Sequence, residues 1–197
     1  INLLEAARKA LKNKNLRAAL IGNYVVQLFY AVMVIYSPLY LTSIGVPLTS
    51  YLGIILPLAL LPLVLLPYEL GYLADKKFGE KEMLIIGMLI LVVASFLCVI
   101  VQTNDIRIWA MILIFSRVGA SLVETMAFSY YFKKVDVEDP SLTALFINTH
   151  GMAVLTVGTV GFLISPFLGE RPQLMFVVLG CAIVWSIAYV LPMKDTR

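Results

Sequence analysis

Apolar positions along this chain fall in long runs, not in the alternating rhythm of half-buried strands. Six runs stand out, at residues 17–41, 50–73, 83–103, 107–132, 143–168 and 173–192. A helix needs about 20 apolar residues to cross roughly 30 Å of hydrocarbon. In lipid, every backbone N–H and C=O must be satisfied within the span. The runs are too long for barrel strands and lack their period of two. The pattern predicts an all-α integral membrane protein, a bundle of six transmembrane helices filling residues 17–197. Residues 1–16 precede it as a basic amphipathic helix. There Leu4, Ala7 and Leu11 share one face, and Arg8, Lys9 and Lys12 lie off it. That helix reads as a linker along the inner leaflet, with a lipid sensor as the alternative.

Composition agrees: 61% of the 197 residues are hydrophobic and 14% charged, too little charge to coat a soluble domain. The distribution of cations changes the picture more than the net charge of +3. With the N-terminus inside, Arg8, Lys9, Lys12, Lys14, Arg17, Lys76, Lys77, Lys81, Lys133, Lys134, Lys194 and Arg197 are all cytoplasmic, and the outer loops keep only Arg107 and Arg171. This bias predicts that both termini are cytoplasmic, in the cytoplasmic (inner) membrane of a bacterium or archaeon. Tyr40, Tyr51 and Trp109 are expected at the outer boundary, and Tyr68, Tyr72, Tyr130 and Tyr131 at the inner one, as an aromatic belt. Cys98 and Cys181 fall inside spans and read as small buried hydrophobes. No nucleotide loop, zinc motif or dinucleotide fingerprint occurs, so no cofactor, metal or nucleic-acid partner is predicted. The chain opens on Ile1, without an initiator methionine or a cleavable signal pattern, which suggests a piece of something longer.

Polar residues inside the spans are unevenly shared. Span one carries Asn23, Gln27, Tyr30 and Ser37 on one helical stripe; span four carries Arg117, Ser121, Glu124, Phe128 and Tyr131 on another. Span five adds Asn148, Met152, Thr156 and Thr159, while spans three and six are nearly bare. Polar groups in a membrane face protein or water. Spans one, four and five are therefore expected to line an interior, and three and six to face lipid. Span two holds Pro57, Pro62 and Pro67, each a lost helical hydrogen bond and a bend. Asp139-Pro140 is a cap followed by a proline at the first helical position of span five.

Between spans two and three lies "GYLADKKFGEK", residues 71–81. Gly71 permits close approach of a neighbour, Asp75 can cap N–H groups or pair with a cation, and Gly79 supplies a turn. Gly71, Asp75, Lys76, Gly79 and Lys81 resemble the cytoplasmic signature of the major facilitator superfamily, with Glu80 standing where that family favours a base. "GFLISPFLG", residues 161–169, is similar to the family's fifth-helix signature; Ser165 stands for a usual glycine and Pro166 matches. Arg117 resembles its fourth-helix arginine, with Ser121 in place of a glycine. The resemblance covers the whole chain as one six-helix half, built as two inverted three-helix repeats. The basic lead-in helix resembles the central linker, which favours the C-terminal half. The resemblance implies a secondary active transporter working by alternating access, in which the loop signature gates the cytoplasmic side. Its partners would be a small-molecule solute, the lipid bilayer, and a second six-helix half, fused or another copy; proton coupling stays open.

The candidate solute or coupling residues are Asn23, Gln27, Tyr30, Arg117, Ser121, Glu124 and Asn148. Glu124 lies near mid-bilayer, where an acid either titrates, binds solute or bonds a neighbouring helix. Arg117 binds an anionic group or snorkels outward, the latter being the expectation. Glu69 reads as a local salt-bridge partner of the loop lysines. His150 is a candidate proton relay. It shares a face with Val154, Gly158, Gly161 and Ser165, and with Pro166 and Gly169 this seam reads as helix packing, which makes His150 a packed residue. Two rivals remain. "GASL", residues 119–122, faintly resembles the nucleophile motif of rhomboid proteases, though span six holds no histidine to act as base. The other is a non-transporting membrane scaffold. No catalytic residue is assigned.

Overall fold

A computed structural model describes residues 3–134, 140–168 and 171–193; Asp139, Gly169 and the Leu4 side chain lie outside what it describes. The described residues are helical with short connections. The leading helix runs Leu3–Lys12, not to residue 16. The Asn13 side-chain oxygen accepts from the N–H groups of Asn15 (3.0 Å) and Leu16 (3.4 Å), which starts span one at once, Lys14–Ser43. The leading helix buries Ala6 and Ala10, while Leu11 is half exposed. Its packed face is thus rotated from the expected one, and the smaller alanines allow close packing on span one and on the start of span five.

Span two is one helical run, Leu48–Lys76. Its first proline, Pro57, is accommodated by a wide turn over Tyr51–Ile55, where the Leu56 N–H reaches back to the Tyr51 carbonyl, while Pro62 and Pro67 lie inside the regular helix that follows. In a regular helix the Pro57 ring would crowd the Gly53 carbonyl; the π turn makes room. A second wide turn over Ala74–Phe78 ends at Gly79, whose φ of 80° is a conformation that side chains resist. Span three is Glu80–Ile100, span four Ile106–Lys134, span five Pro140–Ile147 with Thr149–Leu168, and the sixth helix Leu174–Val190. The first five are long and apolar enough to cross a membrane. The expected sixth span is a shorter apolar helix of 17 residues, roughly 26 Å long at 1.5 Å per residue.

Spans three and four make the closest crossing. A side chain at Gly87 would meet Leu122 and Val123 at 2.8 Å, and one at Gly119 would meet Ile90 at 2.6 Å. Spans one and four are the best covered, with 56% and 61% of their apolar stretches buried, against 44% for span three and 22% each for spans two and five. Within this chain spans three and six also pack on each other, while both keep exposed apolar residues such as Ile86, Val93, Val184 and Trp185. Three packs on four as well, and the most open faces belong to two and five.

The expected outer belt is corrected. Trp109, Tyr40 and Tyr51 are buried. Tyr40 lies edge-on to Trp109 (5.6 Å) and Phe176 (6.0 Å), and its hydroxyl donates to the Val101 carbonyl. The Trp109 indole N–H donates to the Thr103 carbonyl at 2.6 Å. Together they plug that end of the bundle. At the other end Tyr130 and Tyr131 are also buried, and only Tyr68 and Tyr72 face outward. Cys98 is buried but Cys181 is exposed, contrary to expectation.

Candidate functional site

Span four is the axis of the site because its polar stripe meets a different neighbour at each turn. Near its middle the Tyr30 hydroxyl of span one donates to Glu124 Oε2 at 2.7 Å. Glu124, Ser121 and Phe128 face a cleft of about 420 Å³ shared with Leu63 and Pro67 of span two. Thr125 and Ser129 also line it. Ser121, Thr125 and Ser129 follow at intervals of four, so one helix face presents three hydroxyls beside the carboxylate. The cleft therefore has a polar wall from span four and an apolar wall from span two.

Two turns from Glu124, Arg117 is only 4% exposed, so the expected snorkelling is corrected. Its guanidinium carbon lies 5.3 Å from the ring centres of both Phe29 and Tyr30. Its Nε and Nη1 are buried without a hydrogen-bond partner, as is the Ser121 hydroxyl one turn away. No carboxylate among the described residues lies within ion-pairing distance of it. Burying an unpaired ion costs several kcal/mol even after relaxation. Two cation–π contacts return about 1–2 kcal/mol each. The rings hold the guanidinium in place without satisfying its donors.

The other polar residues of span one turn toward span five. Asn23 is buried, and its amide donates to Thr149 Oγ1 (2.7 Å) and to the Phe146 carbonyl (3.1 Å), at the one-residue interruption of span five. Tyr24 and Thr156 hydroxyls pair at 2.6 Å. Gln27 Oε1 lies 2.9 Å from His150 Nδ1. His150 is exposed, not packed, and so are Asn148, Gly158, Ser165 and Pro166 on the same helix. Of the two described glycines in the expected seam, Gly158 has open space around it, and a side chain at Gly161 would meet the Tyr36 hydroxyl.

At the Lys133 end, the loop after span two is held from span four. Lys133 Nζ donates to Asp75 Oδ1 (2.7 Å) and to Glu80 Oε1 (2.5 Å), and Glu80 is 2% exposed. The residue that departs from the loop signature is thus its buried anchor. Lys76 instead packs over the Tyr72 ring and donates to its hydroxyl. Lys81 is half-buried. Nothing lies within 4 Å of a side chain placed at Gly71, so no close approach occurs there within this chain. Glu69 is exposed and forms no ion pair among the described residues.

Sequence reasoning brought Tyr30, Ser121 and Glu124 to one place. It missed Phe29, Thr125, Ser129, Glu80 and Lys133. The interval of four joining Ser121, Thr125 and Ser129 was a signal available in the sequence, and so was the surplus carboxylate at Glu80. The geometry defines a helical membrane protein with a partly polar cleft between two spans. The family model of the Major Facilitator Superfamily matches residues 2–152, and the chain belongs to that family, one of transporters and not of enzymes. No curated protein and no solved structure matches the chain.

Proposed function

We propose that this chain is one six-helix half of a secondary active transporter, its C-terminal half, moving a small solute by alternating access. The observation that carries this reading is the span-two/span-four cleft. It presents a carboxylate and three hydroxyls. One turn beyond Ser121, outside the cleft lining, sits a buried guanidinium with two donors that lack hydrogen-bond partners, a costly arrangement for a purely structural bundle. Both termini and the Lys133–Asp75–Glu80 cluster belong on the cytoplasmic side, where the cluster pins the gating loop. The second half, fused or another copy, closes against spans two and five, whose faces are the most open. Protons are candidate coupling ions through Glu124.

The test is solute uptake into proteoliposomes with and without an imposed pH gradient, comparing the wild type with Glu124→Gln. Gradient-driven uptake that disappears in the variant supports coupling through Glu124, and uptake without gradient dependence limits the reading to transport alone. Absence of uptake for every solute tried leaves the scaffold reading. That alternative draws on Asn23 and Tyr24, which spend their polar groups gluing span one to span five. The protease reading has no support in the geometry. Ser121 is buried without a base, Gly119 before it packs against span three, and His150 pairs with Gln27.

A further inference from the structure

We propose that the solute is an amphipathic organic anion whose charged group docks on Arg117 and whose apolar body lies against Leu63, Pro67 and Phe128. This deepens the reading of the cleft as a solute pathway and rests on it. Three observations converge. The Arg117 guanidinium keeps buried donors without acceptors, and its planar fork matches a carboxylate or phosphate. Ser121, one turn away on the same helix face, lines the cleft and holds a second unpartnered donor. Arg117 is not part of the cleft lining and lies one helical turn behind Ser121, so docking requires the solute to displace the packing between them. The wall opposite is Leu63 and Pro67, with Phe128 beside it, and offers no polar group. A cleft of about 420 Å³ falls within the volume range of small-molecule sites.

Tyr30 joins the two ends of the site. Its ring covers Arg117 while its hydroxyl holds Glu124. An anion arriving at Arg117 competes with the ring for the guanidinium and so acts on the hydrogen bond to Glu124. Glu124 itself, an acceptor when ionised, disfavours a second negative group near it. This predicts monoanions over dianions.

The intact transporter in detergent is titrated with benzoate, hexanoate and phenyl phosphate, each beside a neutral amide or alcohol of similar shape, and with succinate, following the thermal transition. At least one of the three apolar anions should raise the transition while its neutral counterpart and succinate do not. Arg117→Gln should abolish the shift. Arg117→Lys keeps the charge but loses the fork, so it should weaken the apparent affinity by roughly tenfold or more. The proposal is overturned if none of the three anions binds, if the neutral counterparts bind equally, or if Arg117→Gln binds as the wild type does. A lower transition in ligand-free Arg117→Gln, with no anion effect on the wild type, assigns the counter-charge to a carboxylate of the second half and also overturns it. Uptake of a neutral or cationic solute that survives Arg117→Gln ends this inference but leaves the transport reading intact. Absence of uptake for every solute removes both.

Discussion

The crossing of spans three and four and the open faces of spans two and five use glycine for opposite ends. At the crossing, Gly87 and Gly119 bring two backbones together, each lying 3.0 Å from where the other's side chain would begin. On the open faces, Gly71, Gly151 and Gly158 have nothing within 4 Å. Both regions are strongly apolar, so hydrophobicity does not tell them apart. In lipid there is no hydrophobic drive between helices, and association rests on close packing and a few polar contacts. The tight region is where small residues meet; the open region is where they meet nothing in this chain.

The sharpest way to break this comparison is to fill the crossing. Gly87→Val would drive methyl groups into Leu122 and Val123, and Gly119→Val into Ile90. Overpacking of this kind costs about 1–3 kcal/mol and more where backbone must move. The expected outcome is a large loss of monodisperse protein after detergent extraction. Normal yield and an unchanged thermal transition would mean that the two helices separate freely.

A smaller effect is expected where the loop after span two is tied to span four. Lys133→Met removes the ammonium shared by exposed Asp75 and buried Glu80. An exposed pair is worth up to about 1 kcal/mol, and breaking a buried one costs about 3–5 kcal/mol. With Lys133 itself 43% exposed, a loss of roughly 2 kcal/mol lies between these bounds. Asp75→Asn, at the more exposed partner, should cost under about 1 kcal/mol. Thermal denaturation of the two variants side by side checks the order. Equal losses would mean that burial of Glu80 adds nothing.

How much of this was legible beforehand follows from the same physics. Long apolar runs fix the spans because bilayer thickness and backbone satisfaction leave few options, so spans one to five ended within a few residues of expectation. The Tyr30–Glu124 contact was foreshadowed by two polar stripes that had to face something other than lipid. How the bare helices pack on one another was harder to read, because a bare helix is at home against either lipid or another helix. Span three is the clearest case: it has few polar groups, yet Gly87 seats it on span four. Arg117 was expected at the surface because arginine is long enough to reach it. Nothing in its spacing revealed that Phe29 and Tyr30 would hold the guanidinium inside. Glu80 was read as a mismatch because its partner, Lys133, is 53 residues away in the chain.

The smallest expected effect sharpens the comparison most, because it asks what covers the open faces. Gly158→Ala places a methyl group where nothing lies within 4 Å. A substitution touching nothing changes stability by no more than about 0.5 kcal/mol, and alanine suits a helix interior better than glycine does. The thermal transition should therefore hold or rise slightly. Gly158→Leu then separates two environments that look alike from within this chain. A lipid-facing leucine is harmless, since acyl chains give way around it. A leucine on a face where a second six-helix half closes has no room, and uptake should fall although the thermal transition stays. Stability and uptake measured together on that one variant decide whether the span-five face meets lipid or protein.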